Sequence, residues 1–234
     1  MVPMEAIKST VFRYWSEHAS SFNARASHIE FAQEWAAVLA QAVPMPPARD
    51  VVDLGTGTGA CALILAALGH RVTAVDGADG MLVQARQNAE AMGVDVRFVQ
   101  GDVDDPKLPL ASWDVICARN LFWTLPDPSR TLATIRGLLR PGGVLLFSDG
   151  VWRDPADPAG ASDTTYGDVN DSLPFYGGIE LADAEALLNR NGFGDIRHWH
   201  HLFATHPYPK PTPRRFFVLT ASPISTPGAV ETTT

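Results

Sequence analysis

The stretch Val51-Val52-Asp53-Leu54-Gly55-Thr56-Gly57-Thr58-Gly59 joins an apolar strand pattern directly to a glycine-rich turn. Its three alternating glycines carry no side chain, so backbone N–H groups of the turn can approach a ligand closely. A helical apolar run at 60–68 follows the turn. In an open α/β sheet, a strand-to-helix junction of this kind binds a nucleotide-like cofactor. The pattern therefore predicts a cofactor site at this turn and leaves the identity of the cofactor open.

Alternating strand and helix patterns extend from residue 49 to residue 149. They predict strands at 50–54, 71–75, 95–100, 113–118 and 143–149, and helices at 59–68, 79–92 and 128–139. Pro141-Gly142-Gly143 is expected to end the last of these helices and to turn into the fifth strand. Two further strands, near 195–203 and 215–221, have no crossover between them and should pair antiparallel. The pattern predicts a mostly parallel, Rossmann-like α/β sheet with helices on both faces.

The segments on either side of this pattern predict a cap, a covering loop and a tail. The first 48 residues have helical spacing of apolar residues, with a second helix expected at 29–43. Residues 150–178 are rich in Asp, Pro and Gly but keep large aromatic side chains, which is typical of a loop that packs over a site. A helix is expected at 181–191. The predicted division is an N-terminal helical cap at 1–48, a core at 49–221 with a substrate-covering loop at 150–178, and a disordered tail at 222–234.

Net charge, apolar runs and cysteine positions indicate which class of protein this is and which partners are excluded. The 234 residues carry a net charge of −8, which argues against nucleic acid as the main partner. No apolar run reaches 18 residues, and the first residues include Glu5 and Lys8, so neither a membrane span nor a signal peptide is expected. Cys61 and Cys117 are isolated within apolar runs and indicate buried thiols in a reducing compartment. A cytoplasmic enzyme of small molecules, monomeric or homodimeric, is the expected class.

Three carboxylates at strand ends narrow the choice of cofactor. Asp53 stands at the end of the first strand, where it could order the glycine turn or receive an ammonium group. Asp76 ends the second strand, 21 residues after Gly55, where a carboxylate can accept both hydroxyls of a ribose. Asp102, after Gly101, could hold an adenine amino group. With no Lys or Arg near in sequence, this negative charge disfavours a pyrophosphate and favours a sulfonium cofactor that carries an ammonium group.

Five segments, in order, resemble the class I S-adenosylmethionine-dependent methyltransferases. They are the glycine-rich stretch 51–59, Val75-Asp76-Gly77-Ala78 with Met81-Leu82, Gly101-Asp102, Trp113-Asp114-Val115-Ile116 with Arg119-Asn120-Leu121-Phe122-Trp123, and Leu138-Leu139-Arg140-Pro141-Gly142-Gly143. Tyr14-Trp15-Ser16 and Ala24-Arg25-Ala26-Ser27-His28 resemble a bacterial small-molecule (natural-product) subgroup, although Phe22-Asn23 stands where that subgroup often has Tyr-Asp. The resemblance implies a seven-stranded sheet whose strand seven lies antiparallel between strands five and six.

The resemblance and the residue types together predict a set of site residues. The cofactor candidates are Tyr14, His28, Asp53, Gly55, Thr56, Gly57, Asp76, Gly77, Met81, Gly101, Asp102, Val103, Arg119 and Asn120. The substrate-binding candidates are Trp15, Trp123, Trp152, Tyr166 and Tyr176. The candidates for proton transfer are His18, His28 and Asp149. Several have simpler interpretations: His18 as a surface residue, His28 as a helix cap, and Tyr14, Trp15 and Met81 as core.

The expected reaction is an in-line displacement of the sulfonium methyl group by an O, N or C nucleophile of a small aromatic or heterocyclic metabolite. Orientation and desolvation would supply most of the rate, and a general base is needed only for an acceptor that stays protonated. His198 and His200 share one strand face but lack accompanying ligands, so no metal is expected. The alternatives are a non-catalytic module that binds S-adenosylmethionine or its product and an NAD-dependent oxidoreductase, since Asp76 also suits NAD.

Overall fold

One seven-stranded sheet organises the chain in a computed structural model that describes residues 2–24, 31–153, 165–208 and 215–224. The strand order is β3-β2-β1-β4-β5-β7-β6. The strands are β1 Asp50–Leu54, β2 Arg71–Asp76, β3 Arg97–Gln100, β4 Trp113–Arg119, β5 Leu139–Gly150, β6 Phe193–His198 and β7 Phe216–Pro223. The order reverses direction between β1 and β4, so a crevice opens beyond the carboxyl ends of these two strands.

The strand directions confirm the predicted topology. β1 pairs in parallel with β2 and β4, and β4 pairs in parallel with β5. β7 lies antiparallel between β5 and β6. The strand and helix pattern therefore predicted the Rossmann-like fold and the antiparallel pairing of the last two strands, and the family resemblance implied the position of the inserted strand.

The bounds of β5, β6 and β7 differ from the prediction. β5 begins at Leu139 instead of 143, because Pro141-Gly142-Gly143 forms an irregularity inside the strand: Trp113 pairs with Leu139, whereas Val115 pairs with Val144. β6 begins earlier, at Phe193, and ends at His198, where a 3-10 turn at His200–Leu202 replaces the predicted end of the strand. β7 continues to Pro223, into the predicted tail; residues 225–234 lie outside the described part of the chain.

The described helices cover both faces of the sheet. They are α1 Met4–Asn23, α2 Ala32–Ala42, α3 Ala62–Ala67, α4 Asp79–Met92, α5 Pro128–Leu138 and α6 Leu181–Arg190, with 3-10 turns at Phe122–Thr124 and Gly167–Ser172. α3 begins three residues later than the predicted 59–68, because Gly55, Gly57 and Gly59 all have positive φ and prolong the turn. Within the described residues, no helix has both the length and the apolar character needed to cross a membrane.

Alternating side chains of the central strands build a core on each face. In β4, Ile116 packs into the core shared with α5 and α6, whereas Cys117 packs into the core shared with α2 and α3. Both side chains are fully buried, as expected for strands covered on both faces. α1 stands apart from these two cores and packs along α4, where it covers the carboxyl end of the sheet. The sheet thus forms the floor of the crevice, and α1 forms part of its roof.

Candidate cofactor and substrate site

A cavity of about 320 Å³ occupies the crevice beyond β1, β2 and β4. Its size suits a small-molecule ligand. The cavity brings together ten of the fourteen cofactor candidates, namely Gly55, Thr56, Gly57, Asp76, Gly77, Met81, Asp102, Val103, Arg119 and Asn120. It is also lined by Trp15, Trp123 and Trp152 from the substrate-binding candidates. Segments far apart in sequence therefore meet at the place that the strand pattern predicted.

The glycine turn is braced from beneath by Asp53. The Asp53 side chain is buried, and its Oδ2 accepts from Thr56 Oγ1 at 2.7 Å and from the Ala62 backbone N–H at 3.0 Å. Burial raises the pKa of Asp53 to about 6, against the lowering effect of these hydrogen bonds and of the Arg119 charge. Asp53 does not line the cavity. Its contacts support the loop-ordering interpretation over direct contact with a ligand.

Asp76 joins the glycine turn to the turn after β2. Its Oδ2 accepts from the Gly57 N–H and its Oδ1 from the Ala78 N–H, each at 2.8 Å. Burial raises the pKa of Asp76 to about 6, although these backbone hydrogen bonds lower it. The carboxylate lines the cavity and keeps further lone pairs for a ligand. It is thus held in a fixed position from which it can accept from hydroxyl groups.

Asp102 is paired with a lysine that sequence spacing did not identify. Lys8 of α1 donates to Asp102 Oδ2 at 2.6 Å and to Asp104 Oδ2 at 2.5 Å, and the amine is almost completely buried. Desolvation lowers the pKa of Lys8, but the hydrogen bonds and charges of the two aspartates outweigh it, so this pKa is raised. The expectation of a site with no nearby Lys or Arg is therefore wrong, because α1 brings Lys8 to it.

Arg119, at the end of β4, supplies a second cation to the cavity. Its guanidinium carbon lies 3.8 Å from the ring centroid of Trp35 and 5.4 Å from that of Tyr208. The Tyr208 hydroxyl donates to Asn120 Oδ1 at 3.3 Å. Trp35 and Tyr208 were not among the predicted site residues. Tyr208 belongs to a proline-rich connector, whose sequence has no periodicity that would place it at the cavity.

Aromatic side chains form one wall of the cavity. Trp15 Nε1 donates to the Tyr166 hydroxyl at 2.8 Å, and the rings of Trp123 and Tyr166 stack with centroids 5.9 Å apart. The guanidinium of Arg153 lies over the rings of Trp123 and Tyr176, 4.9 and 4.2 Å from their centroids. Tyr166 and Tyr176 do not line the cavity. They support the two tryptophans from behind.

Asp149 contacts this wall, and both of its carboxylate oxygens accept hydrogen bonds. Its Oδ1 accepts from Trp152 Nε1 at 2.7 Å and from the Gly150 N–H at 2.9 Å, while Oδ2 accepts from the Phe122 N–H at 3.1 Å. Burial raises the pKa of Asp149 to about 7, despite these hydrogen bonds. The carboxylate is fully buried and does not line the cavity. This geometry favours a role for Asp149 in positioning Trp152 and the 122–124 turn. It does not favour proton exchange with a substrate.

Other candidates lie away from the cavity. His18 is exposed on α1; one ring nitrogen contacts the Tyr14 carbonyl oxygen, and its ring stacks on Tyr14, so the surface interpretation describes it. Tyr14 packs edge-on against Tyr166, and Gly101 precedes the lining residues without being one. His28 lies outside the described residues. Across the described part of the chain, no three His, Cys, Asp or Glu side chains are grouped as a metal site, and His198 contacts Glu185.

Residues 52–147 match a family model described as a methyltransferase domain. This range contains the glycine turn, Asp76, Asp102 and Arg119, which the structure gathers around one cavity. The chain thus contains a methyltransferase domain. This match favours methyl transfer over the nicotinamide alternative that Asp76 alone allowed.

Known proteins similar to this chain match part of its length. A demethylmenaquinone methyltransferase of Thermus thermophilus is 36% identical over 134 residues, which cover 56% of this chain and 59% of the relative. A ubiquinone biosynthesis O-methyltransferase of Coxiella burnetii is 30% identical over 100 residues, 43% of either chain. The chain thus matches about half the length of these curated relatives. A solved structure, a putative S-adenosylmethionine-dependent methyltransferase from Methanococcus maripaludis, shares the fold with a TM-score of 0.64 at 16% identity, covering 90% of this chain and 94% of that one.

Proposed function

We propose that the protein transfers the methyl group of S-adenosylmethionine to an O, N or C nucleophile of a small aromatic or heterocyclic metabolite. The observation that carries this proposal is one cavity lined by two chemically different groups of residues. One group is the glycine turn with two carboxylates, and the other is three tryptophans. An adenosyl ligand suits the first group, and a planar acceptor suits the second.

The residues of the polar group fit an adenosyl ligand. Gly57 has a positive φ, and a Cβ built there meets no atom within 4 Å, so its backbone faces open space in which a ligand fits. Asp76 is held where it can accept the ribose hydroxyls, and Asp102 with Val103 lies where the adenine edge is expected. Met81 would flank the adenine ring. In this arrangement, α1 covers the adenosine half of the ligand.

The chain itself would contribute orientation, water exclusion and charge compensation. S-adenosylmethionine supplies a methyl group on a sulfonium centre whose leaving group is a neutral thioether. Trp15, Trp123 and Trp152 would hold a planar acceptor by ring contact and keep water from the reacting end of the cavity. Among the described lining residues there is no histidine. An acceptor that ionises near neutral pH, or an amine with a free lone pair, needs no general base from these residues.

The relatives suggest which acceptors to test first. Two of them are named for demethylmenaquinone methylation and for ubiquinone biosynthesis, both of which involve quinone ring systems. A ring of this kind matches the tryptophan wall in shape and polarity. We therefore place hydroxylated benzoquinones, naphthoquinones and phenols first in a panel of acceptors, followed by aromatic amines.

Thermal unfolding with S-adenosylhomocysteine, and in parallel with NAD and NADH, tests the cofactor. A ligand at 100 times its dissociation constant adds about 2.7 kcal/mol to the free energy of unfolding, which raises the melting temperature by a few degrees. Stabilisation by the homocysteine product alone supports the proposal, and stabilisation by the nicotinamides alone overturns it. Transfer of labelled methyl from S-adenosylmethionine to the acceptor panel then separates an enzyme from a module that only binds.

A further inference from the structure

Asn120 has an unusual backbone conformation at the edge of the cavity. It directly follows β4, lines the cavity and has a φ of 54°. Residues other than glycine rarely adopt this left-handed conformation, although asparagine does so more readily than most, and such residues cluster at ligand-binding positions. The backbone N–H of Asn120 donates to the Ser148 carbonyl oxygen at 2.8 Å. The turn is therefore fixed, and it presents a half-buried carboxamide to the cavity.

Tyr208 sets the orientation of this carboxamide. Its hydroxyl donates to Asn120 Oδ1 at 3.3 Å. Burial raises the pKa of Tyr208, although the charge of Arg119 and hydrogen bonds with Arg119 and Asn120 lower it, so the phenol keeps its proton. A phenol has one proton to donate, and here the amide oxygen accepts it. Nδ2 of Asn120 is consequently the atom of the carboxamide that is left for another partner.

The two N–H groups of Asn120 Nδ2 are unused and accessible. They have no hydrogen-bond partner among the described residues. Nε and Nη1 of Arg119 also lack partners, but these atoms are sealed in the interior, whereas the Asn120 side chain is half-buried beside the cavity. A ligand that displaces water from Nδ2 has to accept a hydrogen bond in its place, because an unpaired donor costs free energy.

The carboxamide belongs to the tryptophan group of lining residues. The ring of Tyr208 packs edge-on against that of Trp152, with centroids 5.5 Å apart. Both rings line the cavity, and Trp152 is in turn held by Asp149. In the sheet, β1 separates β4 from β2 and β3, whose ends carry the two lining carboxylates. Asn120 is thus connected to the residues that suit a planar acceptor.

We infer that Asn120 binds the methyl acceptor by donating from Nδ2 to a carbonyl oxygen of that molecule. This inference rests on the proposed function and deepens it, because it names the acceptor class as aromatic ketones and quinones. A carbonyl oxygen only accepts hydrogen bonds and Nδ2 only donates them, so the pair leaves no proton without a partner. An acceptor with an alkyl group at this place would leave the N–H groups unpaired.

The experiment compares two ligands that differ in one carbonyl oxygen. They are para-hydroxyacetophenone and para-ethylphenol, which share the ring, the hydroxyl group and nearly the same shape. Their dissociation constants are measured by NMR titration on the full chain saturated with S-adenosylhomocysteine. The ketone should bind about 3- to 10-fold more tightly, as expected for one hydrogen bond between neutral groups.

Substitutions then attribute the preference to this side chain. Asn120→Gly removes the carboxamide at a backbone conformation that glycine adopts without strain, and it should make the two ligands bind equally. Asn120→Asp keeps the shape but replaces the donor by an oxygen, so it should reverse the preference. Asn189→Asp is the matched control, because Asn189 is exposed on α6, and it should keep the wild-type ratio.

Each outcome supports or overturns the inference. Equal binding of the two ligands to the wild type overturns it, as does a preference that survives in Asn120→Gly or the failure of both ligands to bind. If Asn120→Gly weakens S-adenosylhomocysteine about tenfold and leaves the ratio unchanged, the amide serves the cofactor and the inference is wrong. Should Asn120→Gly not fold, the reversal in Asn120→Asp decides. If S-adenosylhomocysteine does not bind to the wild type, the proposed function fails separately, and the two ligands are compared without it.

Discussion

The amine of Lys8 donates to Asp102 Oδ2 across 2.6 Å, and this contact joins the N-terminal helix to the turn after β3. The same amine binds Asp104, whose other oxygen accepts from Thr131 Oγ1 at 2.5 Å. A single side chain of α1 thus forms ion pairs with two carboxylates beside the cavity. The position of α1 over the site is set by charge as well as by apolar packing.

Lys8→Met should lower the free energy of unfolding by about 3 kcal/mol, because the buried Asp104 carboxylate then keeps only the longer contact with Arg130, at 3.7 Å, among its ion pairs in the described residues. Urea denaturation measures the change. Lys107→Met serves as the control, since Lys107 pairs with Asp105 at the surface, and this variant should lose less than about 1 kcal/mol. Equal effects of the two substitutions would show that the buried pair does not stabilise the fold.

Asp76→Asn should weaken binding of S-adenosylhomocysteine on the order of 100-fold, as an amide cannot accept from two hydroxyls while it also accepts from Gly57 and Ala78. Calorimetric titration measures the affinity, and circular dichroism checks the fold. Asp168→Asn, on an exposed turn, is the control and should bind as the wild type does. Unchanged affinity of Asp76→Asn would remove this carboxylate from the cofactor site.

The affinity for S-adenosylhomocysteine should depend on pH through Asp76. Its pKa is raised to about 6, chiefly by burial, and the ionised form is the one that accepts from ribose hydroxyls. Above pH 7 the carboxylate is ionised and affinity is constant; below pH 6 the proton competes, and affinity falls by up to about tenfold per pH unit. Titrations between pH 5 and 8 test this, and Asp76→Asn should lack the dependence. A flat profile in the wild type contradicts the assignment.

Asp149→Asn distinguishes a positioning role from proton transfer. The new amide nitrogen is a donor, and it would face N–H groups that now donate to Asp149. Two donors form no hydrogen bond with each other, so the free energy of unfolding should fall by about 1–3 kcal/mol. With an identified acceptor, KM should rise while kcat stays within about tenfold, because Trp152 loses its fixed position. A loss of 10³-fold or more in kcat, on the order of a missing general base, would restore Asp149 as a proton acceptor.

Gly80→Ala tests the contact between α1 and α4. A Cβ at Gly80 would lie 2.4 Å from the backbone oxygen of Ser16, so the two helices must separate. We expect a loss of about 1–3 kcal/mol in the free energy of unfolding, together with weaker binding of S-adenosylhomocysteine. Gly137→Ala on α5 is the matched control; its new methyl group has room, and it should be neutral or slightly stabilising.

The parts of this protein that follow from local sequence were predictable. The strand pattern, the glycine turn and the carboxylate ending β2 are all local features, and the parallel sheet brings strand ends together without further information. Ten cofactor candidates consequently line one cavity. The antiparallel pairing of β6 and β7 was predictable because the sequence between them has no helix pattern, and a parallel crossover usually contains a helix.

The features that were missed depend on long-range packing. Lys8 lies 94 residues before Asp102, and helical spacing does not reveal which carboxylate a buried lysine meets. His18 has the right residue type for a base, but the rotation of α1 turns it to solvent. Asp149 has the right position in sequence, yet its backbone and indole donors are recognisable only when the chain is folded.

Asp149 also has a consequence for changing the acceptor that this protein takes. Through one oxygen it holds Trp152, and through the other it holds the turn that carries Trp123. These two indoles line the cavity and are held by the same side chain. A shift of Asp149 would therefore move both of them and change the width of the cavity between them. A substitution of one tryptophan alone, made to fit a larger acceptor, would leave Asp149 holding the other tryptophan in its present position. Leu125 also lines the cavity and follows this turn, so it is a position where space can be added without changing either tryptophan.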